Sequence, residues 1–233
     1  MLVHGSVVDG KTTWRAQLPL AERWTLVVPD RPGFGQSPDV EHVDFEADAR
    51  LVAELLGEGA HLAGHSYGGV VSLLAAAARP DAVRSLTVIE PPAFGVARGR
   101  PEVDDLVDRL RAHWREGPRD DPEAFLRGFL RLVGADFDPP SPLPPGLLRG
   151  AQALVGERFP GEAQIPLDAL AAAPYPKLVV SGGHGAAFDA VCDVLEQRLP
   201  AEGAVLRGAG HSVQRLGPPF NDRFEAFLRS ADV

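Results

Sequence analysis

The sequence predicts an α/β protein in which helices cover both faces of a mostly parallel sheet. Short apolar runs alternate along the chain with stretches that repeat apolar residues at helical spacing. The run at 25–28 reads Thr-Leu-Val-Val without polar alternation, as parallel strands buried on both faces do. The 233 residues are enough for one large domain with its own hydrophobic core.

The predicted elements follow one another from the N-terminus. Strands are predicted at 1–3, 24–28, 60–63, 85–89, 177–180 and 204–206. Helices are predicted at 44–56, 68–79, 189–199 and 220–228. The second helix is expected to end before Pro80. The first helix is expected to face the core with its apolar residues, which are Phe45, Leu51, Val52, Leu55 and Leu56.

The stretch from 93 to 174 separates two predicted strands and is far longer than an ordinary crossover. It contains two amphipathic helical patterns, at 102–115 and 122–133, and then a proline-rich run at 138–145 that cannot form regular structure. We therefore predict one parent domain with an inserted helical cap. The core comprises residues 1–92 and 175–233, and the cap comprises residues 93–174.

A serine lies between a predicted strand and a predicted helix, inside the pattern Gly-x-Ser-x-Gly. The residues are Gly64-His65-Ser66-Tyr67-Gly68. Flanking glycines let the neighbouring backbone approach closely, so a sharp turn can present the Ser66 hydroxyl at the carboxyl edge of the sheet. The N–H of Tyr67 lies at the start of the helix, where it can point at a developing oxyanion. The pattern predicts a serine nucleophile.

With three further motifs, the chain resembles the α/β-hydrolase superfamily over nearly its whole length. In chain order these motifs are Val3-His4-Gly5-Ser6, Asp30-Arg31-Pro32-Gly33-Phe34-Gly35-Gln36-Ser37 and Gly208-Ala209-Gly210-His211. The stretch at 93–174 also falls where members of the superfamily carry their cap. The resemblance implies the α/β-hydrolase fold and a serine hydrolase in which His211 is the general base. It also implies an oxyanion hole made by the backbone N–H groups of Ser6 and Tyr67, whereas His4 and His65 are expected to be structural.

The acid of the implied triad is open between two residues. Relatives usually carry an aspartate just after the strand that corresponds to 177–180, but Gly185 falls at that place here. Glu90 follows the strand at 85–89, where some relatives carry the acid instead, and we favour it. Asp189 is the alternative, although its position suits the N-cap of the helix that follows it.

Aromatic side chains recur at helical spacing in the predicted cap, at Trp114, Phe125 and Phe129. They could line an apolar acyl or aromatic pocket, or they could pack inside the cap. The sequence leaves both roles open, because an aromatic residue on an amphipathic helix has no fixed role until the facing element is known.

Composition argues against several other classes of function. With 23 basic and 32 acidic residues, the net charge of −9 is unsuited to binding nucleic acid or an anionic membrane. No apolar run approaches the roughly 20 residues of a membrane span, and the N-terminus has no signal-peptide pattern, so we expect a cytoplasmic location. The single cysteine, Cys192, excludes an internal disulfide. The histidines do not have a recognisable metal-ligand spacing, so we expect neither a metal nor another cofactor.

The beginning of the chain is short relative to the superfamily. Members usually have two strands before the His-Gly turn, so the first two strands are expected to be absent and 24–28 to form an edge of the sheet. An unpaired edge invites association. The sequence leaves open whether a second copy covers this edge in a homodimer or whether the start codon is misassigned.

The expected function is hydrolysis of a small, largely apolar carboxylic ester, thioester or lactone through an acyl-enzyme. C–C bond hydrolysis and perhydrolase chemistry on the same scaffold are alternatives, because the motifs do not separate them. A non-catalytic small-molecule receptor is the alternative from a different class. The presence of Ser66, His211 and an acid argues against it.

Overall fold

The computed structural model describes residues 1–231, which form an α/β fold around one parallel sheet. The strands are β1 (Leu2–Val3), β2 (Ala60–His65), β3 (Val83–Ile89), β4 (Lys177–Ser181) and β5 (Glu202–Val205). They lie across the sheet in chain order, and each neighbouring pair is parallel. The carboxyl ends of the strands therefore meet at one edge, where open parallel sheets place their ligands. The predicted fold class is confirmed.

The stretch at 24–28 lies beside β1 but is not a strand, so the prediction of a strand there is wrong. Because β1 is only two residues long, it offers the stretch little to pair with. The Leu2 N–H donates to the Val27 carbonyl oxygen at 2.8 Å. The Val27 side chain is nevertheless 44% exposed. The continuous apolar run therefore lies along an open edge of the sheet rather than between two covered faces.

Helices cover both faces of the sheet, as the sequence predicts. They are α1 (Gly10–Thr13), α2 (Phe45–Leu55), α3 (Tyr67–Ala78), α4 (Pro101–Glu116), α5 (Pro122–Leu132), α6 (Pro145–Gly156), α7 (Leu167–Ala172), α8 (Ala186–Arg198) and α9 (Pro218–Ala231). Val3 and Val88 belong to a core that also includes α2, α3 and α8, whereas Leu2 and Ile89 belong to a second core that includes α9. Within the described residues, none of these helices has both the length and the hydropathy that crossing a membrane requires.

The predicted buried face of α2 is only partly correct. Phe45, Val52 and Leu56 are buried, but Leu51 and Leu55 are 44% and 55% exposed. The buried residues recur at spacings of seven and four, which keeps them on one side of a helix with 3.6 residues per turn. Leu51 and Leu55 lie on a neighbouring side, which the core does not reach.

The segment 93–174 holds four α-helices in the structure, of which α4 and α5 match the two predicted ones. The helices α6 and α7 were not predicted. Because proline is tolerated at the first position of a helix, α6 can begin at Pro145, directly after the irregular proline-rich run. An apolar cluster joins α5 and α6 to Val7, and α4 packs against α8. The division of the chain into a core and a cap stays a prediction.

Candidate active site

Ser66 joins β2 to α3 in a strained turn. Its φ of 53° and ψ of −127° lie in a region that residues with a Cβ rarely adopt. The turn needs two glycines, because a Cβ on Gly64 would overlap the Gly68 carbonyl group and a Cβ on Gly68 would overlap the His4 carbonyl group. Ser66 therefore lies at the carboxyl end of β2, where the Gly-x-Ser-x-Gly pattern predicted it.

The imidazole of His211 lies beside the Ser66 hydroxyl, although 145 residues separate them in the chain. His211 Nε2 is 2.9 Å from Ser66 Oγ, and both residues are buried. The His65 Nε2–H donates to the backbone carbonyl oxygen of His211 at 2.9 Å, which holds the loop that carries His211. The spacing between Nε2 and Oγ is that of a nucleophile and its base.

Glu90 is a fully buried carboxylate behind the imidazole of His211. Its Oε2 is 3.3 Å from His211 Nδ1, and its Oε1 accepts a hydrogen bond from the Gly182 N–H at 2.5 Å. Burial opposes ionisation of Glu90, but the neighbouring imidazoles of His184 and His211 outweigh it and lower its pKa to about 2. Glu90 is therefore an anion at neutral pH and can hold the imidazole in one orientation.

Of the two candidate acids, the structure brings Glu90 to His211 and leaves Asp189 elsewhere. Asp189 Oδ1 accepts a hydrogen bond from the Ser181 hydroxyl. The prediction that Asp189 caps its helix is wrong, because α8 begins at Ala186 after Gly185 in extended conformation and Asp189 lies inside its first turn. The helix starts earlier than predicted because the alanines before Asp189 are strong helix formers.

A second histidine, which the sequence analysis did not single out for the site, shares the Glu90 carboxylate. His184 Nδ1 is 3.3 Å from Glu90 Oε2, and its other ring nitrogen is 3.3 Å from the Val133 carbonyl oxygen. The Glu90 carboxylate beside it raises the pKa of His184 above its usual value despite partial burial. Ligand atoms of Glu90, His184 and His211 lie within 4.8 Å of one another, a spacing that a metal site could use. Pairing of one carboxylate with two imidazoles accounts for this cluster.

His65 is a buried histidine that carries no charge at neutral pH. Burial is the main cause, and the nearby His211 adds to it, so that the pKa of His65 falls to about 3. An exposed histidine in the unfolded chain has a pKa of about 6.5. Between these two values, only the unfolded chain binds the proton, so acidification favours unfolding.

We predict that replacing His65 by glutamine weakens the pH dependence of stability. In the wild type, the free energy of unfolding should fall by up to about 1.4 kcal/mol per pH unit from this residue as the pH drops below its unfolded pKa. Chemical denaturation at several values between pH 6.5 and 5 measures the slope. Glu90 contributes little in this window, because its contribution is lost only between its unfolded pKa of 4.5 and about 2. Equal slopes for wild type and His65→Gln would contradict the prediction.

The backbone before Ser6 is held in a fixed orientation. The Gly5 carbonyl oxygen accepts a hydrogen bond from Arg31 Nη2 at 3.0 Å and lies 2.7 Å from His4 Nδ1. Because a trans peptide directs its C=O and the following N–H in opposite directions, these contacts direct the Ser6 N–H to the other side of the chain. Tyr67 begins α3, so its N–H has no carbonyl partner within the helix. Both amides are thus available as donors.

Arg31 is the centre of a buried ionic network that the sequence analysis missed. Its guanidinium donates to Asp48 Oδ2 at 2.8 Å and to Glu157 Oε1 at 2.9 Å, and all three residues are buried. Glu157 Oε2 also accepts a hydrogen bond from the Ser6 hydroxyl at 2.5 Å. Burial raises the pKa of Glu157, although the charge of Arg31 opposes that shift. The network connects the segment 93–174 to the turn that carries Ser6.

Two cavities reach the hydroxyl of Ser66 and the ring of His211. The first, of about 20 Å³, is lined by Ser6, Tyr67 and aromatic side chains, and it has room for about one water molecule. The second, of about 70 Å³, is also lined by His65 and by residues that follow His211. The site is therefore nearly closed by the side chains around it.

The predicted aromatic residues of the cap lie in two different places. Trp114 and Phe129 line the first cavity, and Trp114 Nε1 donates to the Glu157 carbonyl oxygen at 3.0 Å. Phe125 is fully buried among apolar residues of the same segment and lines neither of the two cavities. Its ring centroid is 4.2 Å from that of His113. Of the two roles that the sequence leaves open, the position of Phe125 fits packing inside its own segment.

Sequence signals for the missed residues differ in strength. Arg31 lies inside one of the four motifs that resemble the superfamily, and His184 lies in the loop after β4, where relatives usually carry the acid. Glu157 has no such signal, because 126 residues separate it from Arg31 and no local pattern connects the two.

The sequence is similar to a known protein family and to several characterised proteins. The family model described as the alpha/beta hydrolase family matches residues 1–226. The pimeloyl-[acyl-carrier protein] methyl ester esterase of Aeromonas hydrophila is 38% identical over 141 residues, which are 59% of this chain and 48% of that protein. Lipase LipV of Mycobacterium tuberculosis is 34% identical over 144 residues, which are 60% of this chain and 52% of that protein. The chain thus matches about half the length of these two relatives.

A solved structure is also similar to this chain. The crystal structure of NosK from Streptomyces actuosus superposes with a TM-score of 0.69 at 26% identity. The match covers 100% of this chain and 97% of NosK. The similarity therefore extends over the whole fold, including the segment 93–174.

Proposed function

The chain belongs to the alpha/beta hydrolase family, and from that premise we propose that it cleaves a small carboxylic ester, thioester or lactone through an acyl-enzyme. Ser66 is the nucleophile, His211 the general base and Glu90 the acid of the triad. The observation that carries the proposal is the distance of 2.9 Å between Ser66 Oγ and His211 Nε2, with a buried carboxylate at the other ring nitrogen. A serine hydroxyl is a weak nucleophile unless such a base takes its proton.

The proposed reaction has two halves. Ser66 Oγ attacks the carbonyl carbon while His211 Nε2 takes the hydroxyl proton, and the Glu90 carboxylate stabilises the imidazolium that forms. The bond to the leaving group then breaks, and His211 returns the proton to the departing oxygen or sulfur. A water molecule attacks the acyl-enzyme in the same way, releasing the acid and restoring the Ser66 hydroxyl.

The tetrahedral intermediate of each half carries a negative oxygen. We assign its stabilisation to the backbone N–H groups of Ser6 and Tyr67, of which the latter also has the dipole of α3 behind it. Arg31 and Glu157 are positioning residues, since they hold the Gly5 carbonyl oxygen and the Ser6 hydroxyl. They set the direction of the Ser6 N–H without touching the substrate's reacting atoms.

We predict that replacing Glu157 by glutamine lowers kcat about 10- to 100-fold with a smaller effect on KM. The amide can still accept from the Ser6 hydroxyl, but it no longer balances the buried charge of Arg31, so the turn can shift. Loss of a whole oxyanion-hole donor costs roughly 100- to 1,000-fold in kcat, and a displaced donor should cost less. Steady-state kinetics measures the changes in kcat and in KM separately.

A matched control for this variant lies five residues away in the chain. Glu162 is exposed and pairs with Arg158 outside the site, so Glu162→Gln should keep the wild-type kcat. Thermal denaturation verifies that the Glu157→Gln protein is folded at the assay temperature. A folded Glu157→Gln protein with wild-type kcat would contradict the positioning role.

Ester cleavage is favoured over the other reactions of the scaffold by the names of the relatives, an esterase and a lipase. No specific observation in residues 1–231 favours C–C bond hydrolysis or perhydrolase chemistry. A receptor would not need a buried carboxylate aligned with an imidazole and a hydroxyl, so these contacts support catalysis.

A kinetic screen tests the proposal. The substrates are p-nitrophenyl esters of increasing acyl length and a set of simple lactones, with Ser66→Ala protein as the blank. Because the cavity beside Ser6 and Tyr67 is small, we expect the highest kcat/KM with short acyl groups. Failure to turn over any ester or lactone above the blank would overturn the proposed function.

A further inference from the structure

A wide surface groove adjoins the inner cavity at Ser66 and His211. The groove has a volume of about 970 Å³, and its walls come from residues 7–16, 34–36 and 137–150, together with Arg215. It shares lining residues with the inner cavity of about 70 Å³, namely Val7, Val8, Thr13, Phe137 and Arg215. A substrate bound at Ser66 through this cavity would therefore extend into the groove.

The groove is cationic although the chain as a whole is acidic. Its lining includes three arginines, Arg15, Arg149 and Arg215, and one acid, Asp9. Arg149 is already paired with Asp39. Within residues 1–231, Arg15 and Arg215 have no acidic partner, and both are exposed. In a chain of net charge −9, two unpaired guanidinium groups in one groove make it a place where an anion is attracted.

The contacts of the inner cavity indicate which part of the substrate enters the groove. His211 must give its proton to the leaving group, and it lines both cavities. Of the two, only the inner cavity of about 70 Å³ is also lined by Ser212, Gln214 and Arg215, and Arg215 lines the groove as well. The other cavity, beside Tyr67, has a volume of about 20 Å³ and suits a compact acyl group. The positive charge of Arg215 also acts on the inner cavity, because it contributes to lowering the pKa of His65.

We propose that the groove binds the leaving group of the substrate, and that Arg15 and Arg215 select leaving groups that carry a carboxylate or phosphate. This inference rests on the proposed function. In the step concerned, the bond between the carbonyl carbon and the leaving-group oxygen breaks, and that oxygen takes the proton held by His211. The freed alcohol, still bearing its anion, leaves through the groove while the acyl group stays on Ser66.

Matched esters test the proposal. The first set contains acetate esters of ω-hydroxy carboxylic acids of increasing chain length, each compared with the acetate ester of the corresponding ω-hydroxy amide. The second set moves the charge to the acyl side, with methyl half-esters of dicarboxylic acids compared with the matching monoamide methyl esters. The proteins are the wild type, Arg15→Gln, Arg215→Gln, the double variant and the control Arg50→Gln. Arg50 is likewise exposed and unpaired among the described residues, but it lies on α2 outside the groove.

We expect the wild type to prefer the acid-terminated leaving group, at its best chain length, by about tenfold in kcat/KM. Each single variant should reduce the preference by about threefold, the double variant should abolish it, and Arg50→Gln should retain it. The preference should also shrink as sodium chloride is added, because both arginines are exposed. A phosphate-terminated series should follow the same pattern.

Three results would overturn the inference. They are equal kcat/KM for acid- and amide-terminated leaving groups, a preference that survives in the double variant, and an anion preference confined to the acyl side. In each of these cases the neutral amide-terminated esters are still cleaved, so the proposed function stands. If the wild type cleaves none of the esters, both the proposed function and this inference are wrong.

Discussion

Replacing Glu90 by glutamine is expected to lower kcat about ten-thousandfold. The amide is close in shape to the carboxylate, but it carries no charge to stabilise the imidazolium of His211, and its NH₂ group can hold the ring in the wrong tautomer. The loss should be large here because Glu90 is fully buried and its carboxylate is 3.3 Å from His211 Nδ1. The kcat for the best ester of the kinetic screen, measured above the Ser66→Ala blank, gives the effect.

The other candidate acid provides the matched control. Asp189→Asn should change kcat by less than about tenfold, because its carboxylate bonds to Ser181 rather than to His211. The variant that loses more of the wild-type kcat identifies the acid of the triad. A large loss in Asp189→Asn with little loss in Glu90→Gln would transfer the role to Asp189.

Replacing Ser66 by alanine is expected to lower kcat by about a millionfold, the largest effect of any single substitution. The change removes the oxygen that we propose attacks the substrate and leaves the Cβ, so the strained backbone of the turn and its packing stay as they are. The free energy of unfolding should therefore change little. The residual rate, measured with enough protein to detect it, reports what the oxyanion donors and binding contribute without a nucleophile.

A second buried serine serves as the control for this substitution. Ser72 lies on α3, the helix that Ser66 precedes, and its hydroxyl has no hydrogen-bond partner among residues 1–231. Ser72→Ala therefore removes the same kind of atom without touching His211. It should keep the wild-type kcat. A Ser66→Ala protein that retained more than a few per cent of wild-type kcat would contradict the role of Ser66.

The strand-turn-helix around Ser66 could be predicted because its causes are local. An apolar strand, two glycines that permit close backbone approach and an alanine-rich helix lie within one short stretch of sequence. Glu90 could be proposed for a similar reason, since it directly follows a predicted strand whose end lies beside that of β2. Residues at the carboxyl ends of parallel neighbours meet without any further information.

Features that depend on a distant partner could not be predicted from the sequence. The run at 24–28 has the composition of a buried strand, but whether it pairs depends on β1, which is only two residues long. Glutamate usually lies at the protein surface, and only the fold brings Glu157 to Arg31 and Ser6. Helix α6 was missed because its proline and glycine start resembles the end of the irregular run before it.

The most direct test of the central claim is covalent labelling of Ser66 by a fluorophosphonate. An activated serine attacks the phosphorus and displaces fluoride, so intact-protein mass spectrometry should show one adduct and peptide mapping should locate it on Ser66. We expect labelling of the wild type and of Ser72→Ala, slow labelling of Glu90→Gln, and none at this position in Ser66→Ala. A folded wild-type protein that stays unlabelled, or that is labelled at another residue, would contradict the account.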